Sequence, residues 1–166
     1  VAHVMVSGIL ISFDGLDSIG KATQSRLLYE HLVSQNALTR YFTSPDYTTS
    51  SGQALKLRLQ NTLGDWHTTP WQEKMQYFAD NRAEHRGEVM ETLSEGGIVV
   101  YDRYVPSSIA FIVEEAMKEG EQSRIDVQAA VANLEYVTNA MPHEDVSFFF
   151  DIPPKVAIDL LERRKH

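Results

Sequence analysis

The stretch ISFDGLDSIGKATQSRLL, residues 11–28, decides how the rest of the chain is read. A strand-like apolar run leads to Gly15, four residues follow, then come Gly20 and Lys21, and a helical pattern begins. Gly15 and Gly20 allow backbone conformations closed to other residues, so successive amides can turn inward onto an anion. A helix starting near Gly20 adds the positive end of its dipole. Lys21 can then reach the outer phosphates of a nucleotide, which makes this strand–loop–helix a phosphate loop. One position departs from the pattern. Where a Ser or Thr normally ligates magnesium directly after the lysine, this chain has Ala22. Thr23 is next, but on a helix it points about 100° away.

Working outward, short apolar runs alternate with longer helical periods. GILISF (8–13), ALTRYFT (37–43), GGIVVYD (96–102) and DVSFFFD (145–151) read as strands. Helices are expected after Lys21, over 53–61, from Trp71 to about Glu95, and over 107–119, 126–140 and 153–166. The long helix from Trp71 places Met75, Phe78, Ala79, Val89 and Leu93 on one stripe. This alternation predicts an α/β fold: a parallel sheet of at least four strands with helices on both faces.

Composition narrows the function classes. At 166 residues the chain fits a single domain with a real core. A net charge of -8 argues against a protein built mainly for nucleic acid or an anionic membrane. Without cysteine there is neither a disulfide nor a thiolate metal site, and no apolar run approaches the roughly 18 residues of a membrane-spanning helix. The first residues lack the features of a signal peptide, so a cytoplasmic location is expected. The six histidines (His3, His31, His67, His85, His143 and His166) are scattered, which speaks against a zinc site. There is no G-x-S-x-G, and Trp66 and Trp71 read as packing residues.

Two further segments carry chemistry. In VVYDRY (99–104), Asp102 and Arg103 fall at the carboxyl end of a buried strand, where open α/β sheets bind ligands. A carboxylate there can organise magnesium and its water, and an arginine can clamp a phosphoryl group. In QYFADNRAEH (76–85), Phe78 and Arg82 are i and i+4 on the apolar stripe. A buried arginine needs an anion. Spacing leaves two partners open: a ligand phosphate, with Phe78 stacking on a base, or an acidic residue such as Glu84 or Asp80.

ISFDGLDSIGKATQSRLL, PDY, FADNRAEH, DRYVPSSIAF and FFFDIPPKVAIDLLERR occur in the order and spacing of the thymidylate kinase family. The chain resembles these phosphate-loop nucleoside monophosphate kinases over nearly its whole length. The resemblance implies transfer of the γ-phosphoryl of ATP, with Mg²⁺, to dTMP to give dTDP, an activity of nucleotide biosynthesis. It implies that Gly15, Asp17, Ser18, Ile19, Gly20, Lys21, Ala22 and Thr23 cradle the ATP phosphates. It also places Asp17 near the acceptor sugar and phosphate, Phe78 on the thymine, Arg82 on the acceptor phosphate, and Ser107 and Ser108 by the base. Lys21, Arg103 and Asp102 are the implied catalytic residues, Arg103 bridging the two nucleotides' phosphates and Asp102 standing near the metal.

The chain departs from the family pattern at Ala22, at Thr43-Ser44 (commonly an arginine facing the acceptor phosphate) and at Ile112 (often a glutamine near the base edge). Ser18 and Ile19 also lack the loop arginine of some members. The family's mobile basic lid would start at about Arg163-Arg164-Lys165-His166. Residues 1–166 are therefore expected to be a single phosphate-loop kinase domain without the lid and last strand, and a homodimer. Two alternatives remain at this point: a catalytically impaired nucleotide-binding paralogue, motivated by Ala22, Thr43 and Ile112, and a deoxynucleoside kinase, in which Arg82 would have no monophosphate to grip.

Overall fold

The computed structural model describes residues 8–120 and 123–164; His3, Lys165 and His166 lie outside them. In chain order the elements are β1 (Ile9–Gly15), α1 (Lys21–Ser34), β2 (Thr39–Thr43), α2 (Ser50–Leu59), α3 (Trp71–Ala83), α4 (Arg86–Ser94), β3 (Ile98–Asp102), α5 (Val105–Lys118), α6 (Arg124–Ala132), β4 (Val146–Phe150) and α7 (Pro154–Arg164). A 3₁₀ turn covers Trp66–Thr68, and a π-helical turn, Asn133–Thr138, continues α6. The chain folds as two compact units. One takes the residues up to Thr43, Val89–Tyr104 and those from Glu144 on; the other takes Ser44–Glu88 and Val105–His143.

The first unit is built on a four-stranded parallel sheet in the order β2-β3-β1-β4. Leu10, Val99 and Val100 are fully buried, as expected of the inner strands of a parallel sheet. Helix α1 packs on β1, β2 and β3. Strand register sets Phe13 opposite both Asp102 and Phe148, so the carboxyl ends of β1 and β3 finish side by side. That alignment places the loop after β1 next to Asp102 and Arg103. Strand β4 is the outer strand beside β1 among the described residues, and its Val146, Phe148 and Phe149 are exposed.

The second unit is helical. Trp71, Ile112, Ala116, Val127 and Val131 form its core, with α3 packed on α2 and α5, and α5 on α6. The long helix predicted from Trp71 is two helices. The run is interrupted by a turn at Glu84 and His85, although Glu84 itself keeps helical backbone angles (φ -59°, ψ -30°). Both side chains are engaged outside the helix: Glu84 accepts from the Ser51 amide at 2.9 Å, and His85 pairs with Asp46 at 3.1 Å. Trp66 and Trp71 are buried, as packing residues should be.

Candidate active site

In the first unit the chain leaves β1 through Gly15 (φ 137°), Ser18 (φ 62°) and Gly20 (φ 97°), all in the left-handed half of backbone space. At Gly15 a side chain is excluded on two counts, because a Cβ would also lie 2.8 Å from the Phe150 carbonyl oxygen. Gly20 caps α1 with no side-chain hydrogen bond, and the first turn carries no acidic residue. The opening amides of α1 are thus left to a ligand, at the positive end of the helix.

This loop forms one side of a cleft of about 600 Å³. Asp17, Ser18, Gly20, Lys21, Ala22 and Thr23 line it together with Asp102 and Arg103. The structure therefore gathers the sequence-predicted phosphate loop and strand-end pair in one place. Gly15 and Ile19 complete the loop, the Ile19 side chain lying against Gly15. Leu160 and Arg163 of α7 also line the cleft and were not singled out as site residues; Arg163 had been read only as part of a terminal basic run.

Lys21, Arg103 and Asp102 are central to the cleft's electrostatics, with Asp17 and Arg163 also lining it. Lys21 is buried and its ammonium donates to the Leu16 carbonyl. Burial lowers its pKa, the nearby Arg103 charge pushes the same way, and Asp17, Asp102 and Asp14 oppose them. Arg103 donates to the Gly15 carbonyl at 3.1 Å and to the Asp17 carboxylate. Its backbone is left-handed (φ 69°) and its amide donates to the Phe13 carbonyl at 3.0 Å. Such a conformation at a strand end costs energy in a non-glycine residue and is commonest at functional sites. Burial pushes the Asp102 carboxyl above the ordinary carboxylate range, against the pull of Arg103 and Lys21.

Behind them sits Asp14, a residue the sequence reading passed over. It is buried, accepts from Ser12 Oγ at 2.7 Å and from the Tyr104 amide at 3.1 Å, and so fixes the turn after β3. The signal was present: an aspartate inside an apolar strand run needs a reason.

No group of three or more His, Asp or Glu side chains forms a metal cage among the described residues. Asp102, however, has a buried Oδ1 with no hydrogen-bond partner. One carboxylate beside nucleotide phosphates and water is a usual way to hold Mg²⁺, so the donor set fits that ion. Ala22 adds no oxygen to it.

The second unit holds the other predicted residues. Arg82 is 1% exposed, and its guanidinium is held by Glu135, Ser44 and Ser108. Of the two partners left open by spacing, an acidic residue is present, but it is Glu135 rather than Glu84 or Asp80. Phe78 is half-buried and meets Trp66 and Phe111 edge-on, with ring centroids 6.2 and 5.3 Å away. Ser107 is half-buried on α5. Ile112 is fully buried in the core, so that position offers packing and no hydrogen bond.

The family model described as Thymidylate kinase matches residues 13–166. The thymidylate kinase of Rickettsia peacockii (strain Rustic) is 30% identical over 160 residues, a match covering 95% of this chain and 71% of the relative. That of Plasmodium falciparum (isolate 3D7) is 29% identical over 157 residues, covering 90% and 64%. Two solved structures share the fold. A Candida albicans thymidylate kinase, noted for broad substrate specificity, aligns with a TM-score of 0.70 at 23% identity over 92% of this chain and 66% of its own. An Ehrlichia chaffeensis thymidylate kinase aligns with a TM-score of 0.65 at 20% identity, over 95% and 83%. The parallel sheet and its helices thus match the phosphate-loop nucleoside monophosphate kinase fold.

Proposed function

Because this chain belongs to the thymidylate kinase family, we propose that it transfers the γ-phosphoryl group of ATP to dTMP, giving dTDP and ADP. One observation supports the reading above the others: Lys21, Arg103 and Asp102 line a single cleft at the open start of α1. Phosphoryl transfer demands little of a protein except positioning and neutralisation of charge. An ammonium, a guanidinium and a row of amides are what that task requires.

Both cations are engaged by the loop's own oxygens, Lys21 with the Leu16 carbonyl and Arg103 with the Gly15 carbonyl and Asp17. Incoming phosphates replace these partners with charge-assisted hydrogen bonds, which are about twice as strong as neutral ones. Gly15, Asp17, Ser18, Ile19, Gly20, Lys21, Ala22 and Thr23 form the cradle. Asp102, with phosphate oxygens and water, would hold Mg²⁺, which would supply neutralisation of the ATP phosphates' charge. For the acceptor, Arg82 holds the phosphate of dTMP, Phe78 stacks on its thymine, and Ser107 and Ser108 stand by the base. Asp17 serves the acceptor sugar once Arg103 turns to the phosphates. We further read the protein as a cytoplasmic homodimer.

The test is ADP release from Mg·ATP with a panel of acceptors. dTMP should drive turnover and thymidine should not. If ADP release is indifferent to every nucleoside monophosphate, the proposal fails.

A further inference from the structure

We infer that Asp14 is a positioning residue for Arg103: its buried carboxylate fixes the turn that carries this arginine, so that the guanidinium enters the cleft from one direction. The inference rests on the proposed role of Arg103 in phosphoryl transfer and gives Asp14 a part in the reaction as well as in the fold. Asp14 is 2% exposed and lies on an inner strand of the sheet, where apolar residues are the rule. A carboxylate buried there is costly unless hydrogen bonds compensate it. Oδ2 accepts from Ser12 Oγ at 2.7 Å, and Oδ1 from the Tyr104 amide at 3.1 Å. An apolar residue at this position would avoid the cost of burial but leave the Tyr104 amide without this acceptor. The carboxylate is explicable if its task is to hold that amide.

The strand ends show what the bond does. Phe13 pairs with Asp102 at the last register position of β1 and β3. Beyond it the Arg103 amide donates to the Phe13 carbonyl at 3.0 Å, and the next amide, that of Tyr104, to the Asp14 side chain. Successive amides are thus held by successive residues of β1. Arg103 lies at this point in the left-handed conformation (φ 69°), which a non-glycine residue keeps only where its surroundings impose it. Past the turn the Tyr104 ring is fully buried, its centroid 4.7 Å from that of Tyr101. With its backbone pinned on both sides, Arg103 sends its guanidinium to the Gly15 carbonyl at 3.1 Å and to Asp17, inside the phosphate cradle. Without the Asp14 acceptor the Tyr104 amide is released, Arg103 relaxes toward an ordinary negative φ, and its side chain swings out of line with the cleft.

The experiment measures kcat at saturating Mg·ATP and dTMP for Asp14→Asn, Asp14→Ser and Asp14→Ala, each with and without Arg103→Ala, together with thermal melting. Ala should lower kcat by about tenfold or more, the scale of a displaced positioning group. Ser should do the same, because its hydroxyl is too short to reach the Tyr104 amide. Asn keeps an oxygen for that amide and can donate to Ser12 Oγ, so its kcat should stay within about threefold of the unsubstituted enzyme. In the Arg103→Ala background, Asp14→Ala should cost no more than about a further twofold, since the group it aims is gone. A residue that merely stabilises the fold would lower the melting temperature and cost the same factor with or without Arg103, and that outcome refutes the role of Asp14. So does an Asn variant as impaired as Ala, because the charge that Asp14 also directs at Lys21 and Asp102 would then be the cause. If Arg103→Ala lowers kcat while Asp14→Ala does not, Asp14's part is refuted and that of Arg103 stands. If Arg103→Ala itself leaves kcat unchanged, the reading of Arg103 fails and Asp14's part falls with it. Should the Ala variant at 14 not fold, the Asn–Ser contrast decides.

Discussion

Ala22 is exposed on the first turn of α1 and lines the cleft beside Lys21, so a larger side chain there disturbs no packing. Ala22→Thr should add one oxygen for Mg²⁺. A magnesium titration at fixed ATP is expected to reach half-maximal rate at a severalfold lower concentration, with an unchanged melting temperature. Lys21→Ala removes the cation at the head of the loop, and turnover should fall by at least about 10²-fold, the scale seen when one preorganised electrostatic donor is lost. Asp102 makes a subtler case, because burial raises its pKa. The folded protein then holds that proton to a higher pH than the unfolded chain does. Its contribution to stability is complete below the ordinary carboxylate pKa and is lost as pH rises through the raised folded value. At neutral pH the charge costs stability; in the proposed reaction it would serve the metal. Asp102→Asn should therefore melt at a slightly higher temperature and lose most activity. In the unsubstituted enzyme, the acid limb of a pH–rate profile should lie above the usual carboxylate range. Lys21 was legible from its place where the glycine loop meets a helix, and Asp102 and Arg103 from the strand end that their own segment predicts. Asp14 was not weighed, since an acid among apolar residues says nothing by spacing about which hydroxyl or amide it binds.

The segment joining β2 to α2 is governed by α3. Asn81, buried on that helix, accepts from the Asp46 amide at 2.7 Å and donates to the Asp46 carbonyl at 3.0 Å and to Thr49 Oγ1 at 2.9 Å. Thr49 in turn caps α2 through the Gly52 amide. Asn81→Ala strips partners from buried backbone groups and should destabilise the protein by about 2–3 kcal/mol, read from denaturant unfolding. Gly52 tolerates no side chain, since a Cβ would fall 1.7 Å from the Asp46 carbonyl oxygen. Asp46 carries the pH dependence of this segment. Burial pushes its carboxyl upward, but the Thr48 hydroxyl and amide, with His85, pull further and hold it below the ordinary range. The stabilisation is present above the unfolded carboxylate pKa and is lost as pH falls through the depressed folded value. Thr48→Val should shrink that loss, seen as a flatter dependence of melting temperature on pH under acid conditions. None of this could be read from AEHRG, where nothing forbids helix: the partners of Glu84 and His85, at the turn after Ala83, lie more than thirty residues away in sequence.

At the scale of the whole molecule, β4 is the outer strand beside β1 in the sheet of the described residues. Two levels of information meet in this chain. The order of strands and helices, the phosphate loop and the Asp102–Arg103 pair were determined by the sequence itself, because periodicity and nearest-neighbour chemistry act along the chain. The strand order β2-β3-β1-β4, the presence of Leu160 and Arg163 in the cleft, and the union of Arg82 with Glu135 across 53 residues were decided only by tertiary structure. A buried charge must find an opposite one. Which of the chain's acids it finds depends on how helices pack, and residue spacing does not encode that.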